Sequence, residues 1–370
     1  CYIGGKIIQR SSWVNEALEG KMRALKLYAP GDIRLVETPI PSIGADDVLV
    51  QVMAVGVCGS DIPRILTKGA YHPRLTLGHE FSGIIAQLGE RVDQWREGQR
   101  VTAAPLIPCF DCRACREGRY SLCADYNYLG SRTDGAMAEY VRVPANNLLE
   151  LQAEVSFETG AMVDPAANAI HALWKTGVQE GKTVAVYGSG PIGLFAIQLA
   201  RHLAAGRIIA IDVMEEKLSL SKKAGADEVI NSRHVDPVEA VKAITRGRGA
   251  DIVLDISGAK TAQHQGICSA GDSATVVLVG ISHDSLELSA KAVDRILRRE
   301  LTIRGSWNSF SPPFPGEEWT RSLSLMAQGL IWQPEFISHR LRLEEGPRIF
   351  AAIENKDLFF SKIMFFPQEK

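Results

Sequence analysis

From Pro108 to Cys123 the chain reads PCFDCRACREGRYSLC, which places Cys109, Cys112, Cys115 and Cys123 in one polar segment. Gaps of two, two and seven residues let a short loop fold around one tetrahedral ion with four thiolate ligands. An iron–sulfur cluster is the rival, because ferredoxin-type runs open with the same C-x-x-C-x-x-C. Those runs continue with three residues and then Cys-Pro, whereas here seven residues intervene and Ala124 follows Cys123. Disulfides fit poorly with an odd total of seven cysteines. Four thiolates around zinc leave no open coordination position, so this metal is predicted to hold a loop.

A second, dispersed set has the makings of an open site. GVCGSD supplies Cys58, Ser60 and Asp61, and LGHEFSG supplies His79 and Glu80. A thiolate and an imidazole suit zinc, and a site with fewer than four permanent protein ligands can accept a substrate oxygen. Taken singly, each residue has a plainer reading, Cys58 as a small buried apolar residue and His79 as a hydrogen-bonded core histidine.

A third signal concerns a nucleotide. GSGPIG sets Gly188, Gly190 and Gly193 in G-x-G-x-x-G spacing, with Pro191 and Ile192 between the last two, directly after an apolar strand and opening a helix. Glycines there permit the tight turn and let backbone and helix N-terminus approach a pyrophosphate. Asp212 ends the next strand, where an acid bonds the adenosine ribose hydroxyls and repels a 2′-phosphate, which predicts NAD over NADP. Its plainer reading is an N-cap for the helix starting near Glu215.

Elements must position these residues. The stretch 48–57, VLVQVMAVGV, mixes alternation with β-branched residues as a strand buried on at least one face does. From 22 to about 170 short strand signals broken by Gly and Pro predominate, which predicts a β-rich first domain. After 180 strands alternate with helices. Strand-like runs at 182–188, 207–212, 227–230, 251–257, 275–280 and 301–305 are separated by helical patterns such as Ile192 to Ala204 and Pro237 to Ile244. Right-handed crossovers and a six-stranded, doubly wound parallel α/β sheet follow. The tail from about 309 reads as irregular and helical, and its pattern alone does not say which domain it joins.

Composition narrows the function classes. With 370 residues, 46% apolar and 23% charged, the chain has the profile of two globular domains. Forty-one basic and 43 acidic residues leave no global field for nucleic acid or an anionic membrane. No apolar run is long enough for a membrane span, and residues 1–21 lack the pattern of a secretory signal, so a cytoplasmic location is expected. MRALKLY reads as a natural start at Met22, and the first 21 residues read as an extension with one short helix from Ser12 to Leu18.

GVCGSD, LGHEFSG, the four-cysteine loop and GSGPIG together resemble, in order and spacing, the zinc-dependent medium-chain alcohol/polyol dehydrogenases. PLIPCFDCRACREGRYSLC, YLGSRTDGAMAEY, ILRRELTIRGSW and SFSPPFPGEEW are similar, within that family, to its galactitol-1-phosphate 5-dehydrogenase branch, and more loosely to sorbitol and threonine dehydrogenases. The resemblance implies two zinc ions per subunit and NAD as coenzyme. It implies a catalytic zinc on Cys58 and His79 with Glu80 close or exchangeable. Its third usual ligand, a glutamate, would fall on Asp164, which is one methylene shorter and must draw its backbone inward or reach zinc through water. Asp61 would orient His79, and Ser60 would pass the substrate proton toward solvent. Lys217, Val279 and Gly280 would join the coenzyme site, the last two laying backbone against the nicotinamide.

The resemblance also implies a partly open, GroES-like β-barrel built from 22–170 and 309–370, carrying the zinc lobe 108–124. A Rossmann domain over 171–308 completes the chain, with the active site in the cleft between. The expected substrate is a small polyol or polyol phosphate and the expected assembly a homodimer or homotetramer. Arg64, Lys68, His72 and Arg132 are candidates for meeting a phosphate, each with the plainer reading of a solvated surface charge. A nucleotide-binding homologue with a disabled site is the competing class, and Asp164 is the feature that favours it.

Overall fold

The computed structural model describes residues 20–177, 180–331 and 334–369. The helix expected over Ser12 to Leu18 lies outside them. Elements are labelled β1 (Asp47–Gly56), β2 (Glu80–Leu88), α1 (Val163–Trp174), β3 (Thr183–Tyr187), α2 (Pro191–His202), β4 (Arg207–Asp212), β5 (Glu228–Asn231), α3 (Pro237–Ile244), β6 (Ala250–Asp255), β7 (Ala270–Leu278), β8 (Thr302–Gly305), α4 (Glu317–Ala327), β9 (Ile337–Leu341) and β10 (Lys362–Phe365).

The six strand-like runs after residue 180 become β3 to β8. They form one parallel sheet in the order β5-β4-β3-β6-β7-β8. Every residue of β3 is buried, as expected for a central parallel strand with helices on both faces. Connections leave β3 toward β4 on one side, and the second half of the sheet adds β6 on the other. The order therefore reverses between β3 and β6, and the crevice outside their C-terminal ends is where such sheets bind ligands.

The first part of the chain is β-rich. A seven-stranded sheet centres on β1, with β2 antiparallel on one side and β10 antiparallel on the other, and β9 runs parallel to β10. A three-stranded sheet from Lys21–Ala29, Asp32–Pro39 and Leu75–Thr76 lies beside it. Val48, Val50, Val52 and Val55 of β1 pack in the barrel core with Phe81, Ile85 and Phe365.

The tail differs from its reading as irregular and helical. Besides α4 it supplies β9 and β10 to the sheet of β1. Both strands are short, and β9 is half-exposed, so neither makes a strong pattern in sequence. Between them and β8, α4 packs on α1, which packs in turn on α2, with Trp319 fully buried in the shared core. No helix among the described residues is long and apolar enough to cross a membrane.

Candidate active site

The four-cysteine loop closes on itself. Cys112, in extended conformation, precedes the one-turn helix Arg113–Arg116, and Gly118 at φ 72° turns the chain back toward Cys123. The Cys109–Cys115 and Cys112–Cys123 sulfurs are each 3.9 Å apart, and those of Cys109 and Cys123 are 3.5 Å apart. A zinc–sulfur bond of about 2.3 Å gives a tetrahedron with edges of about 3.8 Å, so the four sulfurs already have the spacing zinc needs. Backbone N–H groups of Ala124 and Cys115 draw the Cys112 thiol down to about 6, while burial pushes Cys115 up to about 12.

This lobe is fastened to the tail. Phe110 and Tyr120 set their rings edge-on to Phe314, each with centroids 5.3 Å away, and a Cβ on Gly118 would lie 2.3 Å from Pro312 Cγ.

The second set is assembled by strand register. Gly56 at the end of β1 pairs with Glu80 at the start of β2, so Cys58 just past one strand and His79 just before the other come together. Cys58, His79 and Glu80 offer ligand atoms all within 4.8 Å of one another. A turn fixes Cys58: the Asp61 N–H donates to its carbonyl at 3.0 Å, and its own N–H donates to Asp61 Oδ2 at 3.0 Å. Asp61 Oδ1 lies 3.7 Å from His79 Nδ1, which turns that nitrogen toward the acid and leaves Nε2 for a metal. Ser60 is half-buried at the head of the short helix Asp61–Pro63 and makes no capping bond with its side chain.

Asp164 falls outside this set. It sits in the first turn of α1, with Oδ2 accepting from Asn168 Nδ2 at 3.3 Å and Oδ1 buried without a partner. Burial pushes its carboxyl up to about 7, although His79 nearby pulls the other way. Burial likewise raises Asp61 and works against the charge on His79. For His79 the acids and Cys58 outweigh it and hold the imidazole well above its usual range. Cys58, Asp61, Glu80 and Asp164 thus bring four acidic or metal-ligating groups together against His79 and one lysine. A divalent cation would favour their ionised forms, and the unpartnered His79 Nδ1 and Asp164 Oδ1 mark a polar set left incomplete by protein alone.

Two neighbours lay beyond sequence reasoning. The Lys362 ammonium, on β10 and 1% exposed, is ion-paired with Glu80 and donates to the Val57 carbonyl at 3.0 Å. A Cβ on Gly56 would fall 2.7 Å from Lys362 Cε and 2.8 Å from Glu80 Oε2, so a larger residue there would displace this pair. Tyr128 sets its ring edge-on to His79 at 5.6 Å. A lone lysine in the apolar run LFFSKIMFF was the available signal for the first, and nothing marked the second.

The glycine loop follows β3 at the reversal of strand order. A Cβ on Gly193 would lie 2.0 Å from the Gly188 carbonyl oxygen, so α2 can approach the strand only with glycine there. Gly190, by contrast, meets nothing within 4 Å and faces open space at the N-terminus of α2, with Pro191 and Ile192 opening the helix. This is a cradle of backbone at a helix N-terminus, which suits a pyrophosphate. Asp212 ends β4 beside it, accepting from the Ser189 N–H at 2.8 Å and from the Val213 and Met214 N–H groups at 2.7 and 3.1 Å. Lys217 is half-buried on the next helix, Glu215–Lys223. Val279 and Gly280 donate both N–H groups to the Asp255 carbonyl, at 2.9 and 3.0 Å, at the end of β7.

The phosphate candidates are placed unevenly. Lys68 Nζ is 2.8 Å from His283 Nδ1, a contact from the first part of the chain to the loop after β7. His72 Nε2 is 3.3 Å from the Arg132 carbonyl. Arg64 and Arg132 both lie over the ring of Tyr71, and the hydrogen bond from Arg64, helped by Arg132, holds that phenol below its usual range.

Residues 44–153 match the alcohol dehydrogenase GroES-like domain family and residues 191–328 the zinc-binding dehydrogenase family. Galactitol 1-phosphate 5-dehydrogenase of Escherichia coli K12 is 39% identical over 320 residues, 86% of this chain and 92% of that one. L-threonine 3-dehydrogenase of Symbiobacterium thermophilum is 38% identical over 90% of this chain and 94% of its own. The crystal structure of galactitol-1-phosphate dehydrogenase from Escherichia coli superimposes with a TM-score of 0.89 at 36% identity, covering 94% of this chain and all of that one. A zinc-binding dehydrogenase from Sinorhizobium meliloti bound to NADP gives 0.86 at 32%, with 94% and 100% covered.

Proposed function

The chain belongs to the zinc-binding alcohol dehydrogenase family, and from that premise we propose that it oxidises the secondary alcohol of a polyol phosphate, galactitol 1-phosphate to tagatose 6-phosphate, with NAD as acceptor. The observation that carries the reading is the meeting of Cys58, His79 and Glu80 within 4.8 Å. We assign residues 22–170 and 309–370 to the catalytic unit and 171–308 to the coenzyme unit.

Cys58 and His79, with Asp164 directly or through water, would hold a zinc ion, which when bound would supply a Lewis acid that lowers the pKa of a substrate hydroxyl. Asp61 fixes the Cys58 turn and the tilt of His79. The ion pair with Lys362 draws Glu80 toward β10, so that Glu80 would stand beside the metal and leave a position open for substrate. Ser60, two residues past Cys58, takes the substrate proton and passes it to solvent. The cradle of Gly188, Gly190 and Gly193 would seat the pyrophosphate, Asp212 and Lys217 would flank the adenosine, and the Val279–Gly280 backbone would line the nicotinamide. A coenzyme held there would supply the hydride acceptor, the protein contributing position and charge. Cys109, Cys112, Cys115 and Cys123 would hold a second zinc with no open coordination position, away from the reaction.

The exposed edge of β8, whose four residues are all open to solvent, supports a homodimer or homotetramer built by strand addition. Unpaired thiols throughout the described chain support a cytoplasmic location.

The deciding experiment is a panel of polyol phosphates, polyols and threonine with NAD and NADP, followed by reduced nicotinamide absorbance. Galactitol 1-phosphate with NAD should give the highest kcat/KM. Preference for threonine would move the assignment to the other strong likeness, and no turnover of any alcohol would favour a disabled site lacking its third ligand at Asp164. Coenzyme choice has its own test. Asp212→Asn keeps an acceptor for the Ser189 N–H but removes the charge, and should lower the NAD to NADP ratio of kcat/KM by about 10- to 100-fold.

A further inference from the structure

Two arginines from different stretches of chain meet over one ring. Arg64 Cζ lies 4.8 Å and Arg132 Cζ 5.2 Å from the centre of Tyr71, and Arg132 also packs 4.1 Å over Tyr126. Arg23, Arg34, Arg91, Arg201 and Arg340 each have a carboxylate partner, whereas among the described residues no ion pair joins Arg64 or Arg132. Asp134, the acid nearest Arg132 in sequence, is taken by Lys26 at 3.2 Å and by the Thr76 N–H at 2.7 Å. Two like charges brought to one ring with no acid between them form a site for an anion from outside. Each guanidinium gives part of its five N–H donors to the Tyr71 phenol, and Arg132 Nη1 also donates to the Tyr126 carbonyl at 3.5 Å; the donors that remain are those that would grip a phosphate.

The pair also stands where a substrate can reach it. Arg64 is three residues beyond Asp61, whose carboxylate accepts the Cys58 N–H. The Arg132 N–H donates to the Tyr128 carbonyl at 2.9 Å, and the Tyr128 ring touches His79. Each arginine is thus about one turn of chain from a residue that touches a candidate zinc ligand. In a polyol 1-phosphate oxidised at carbon 5, the phosphate lies four carbons from the reacting centre, a separation that calls for cations set back from the ligands rather than among them.

We propose that Arg64 and Arg132, aligned by Tyr71, bind the phosphate of the polyol phosphate whose alcohol carbon sits at Cys58 and His79. This rests on the reading of the substrate as a polyol phosphate. Lys68 is engaged with His283 and is not part of the clamp.

Arg64→Gln and Arg132→Gln, singly and together, test it. The ratio of kcat/KM for galactitol 1-phosphate to that for galactitol should fall by about 10- to 100-fold for each arginine lost. Binding of inorganic phosphate to the zinc-loaded protein, measured by calorimetry, should weaken in the same order. Arg→Lys at either position keeps the charge but not the fork and should fall between, and decides the matter if a Gln variant does not fold. If the wild type prefers the phosphorylated substrate and the variants keep that preference and their phosphate affinity, the clamp is wrong and the substrate reading stands. If the wild type turns over no polyol phosphate yet binds inorganic phosphate through both arginines, the anion site stands and the substrate reading falls.

Discussion

His79→Ala is expected to lower kcat/KM by at least about 10³-fold in a protein that remains folded. The size follows from what the imidazole does. It supplies one of the three ligand atoms gathered within 4.8 Å, and without it a metal would rest on Cys58 with Glu80, which is tied to Lys362, and Asp164, which lies outside the close set. Loss of the metal removes the charge that stabilises an ionising hydroxyl, and several kcal/mol of transition-state stabilisation converts to three or more powers of ten. Folding should survive. His79 makes no hydrogen bond through Nδ1, so truncation leaves a small cavity and only two partners behind: Asp61, whose other oxygen keeps the Cys58 N–H, and the Cys58 thiol, which is half-buried and open to water. The melting temperature should therefore stay within about 5 °C of the wild type. Metal analysis should find about one zinc per chain in the variant against two in the wild type. A variant that retains both zincs and full activity would break the assignment of His79.

The parts of this site that sequence revealed are those whose chemistry is local. Four cysteines within one loop, and three glycines between a strand and a helix, impose their geometry over a few residues, so spacing alone carries it. Asp212 was legible because the repeating strand–helix rhythm fixes what ends the second strand. Strand register is not local. Cys58 and His79 are joined because Gly56 pairs with Glu80, and no run of residues announces that pairing. Lys362 is further from view still, since it reaches Glu80 only through β10, a four-residue strand at the end of the chain that returns to the first sheet. Asp164 stands between these cases: it lies on α1 near enough to His79 for their charges to interact, but its carboxylate is not among the three ligand groups gathered within 4.8 Å. Arg64 and Arg132 looked like ordinary surface charges until the fold placed both on Tyr71.

Cys115→Ser should act on stability where His79→Ala acts on turnover. Cys115 is buried, and burial holds its thiol high in the absence of metal, so the loop depends on an ion to make a thiolate acceptable there. Serine supplies no comparable ligand, and a three-thiolate remnant binds zinc far more weakly than the closed set. The consequence spreads because the lobe is fixed to the tail through Phe110, Tyr120 and Phe314 and through Pro312 against Gly118. That segment leads into Trp319 of α4 in the core shared with α1 and α2. Losing several kcal/mol from this anchorage corresponds to a fall in melting temperature of about 10 °C or more. Zinc content should drop to about one per chain, and limited proteolysis should open the chain within 108–123 before the rest. Activity measured at low temperature on the fraction still folded should keep the wild-type KM, since the catalytic ligands come from other strands. A Cys115→Ser protein with unchanged melting temperature and two zincs would show that this loop does not rely on metal. One whose residual folded fraction has lost turnover as completely as His79→Ala would show that the two metal sites do not have separate roles.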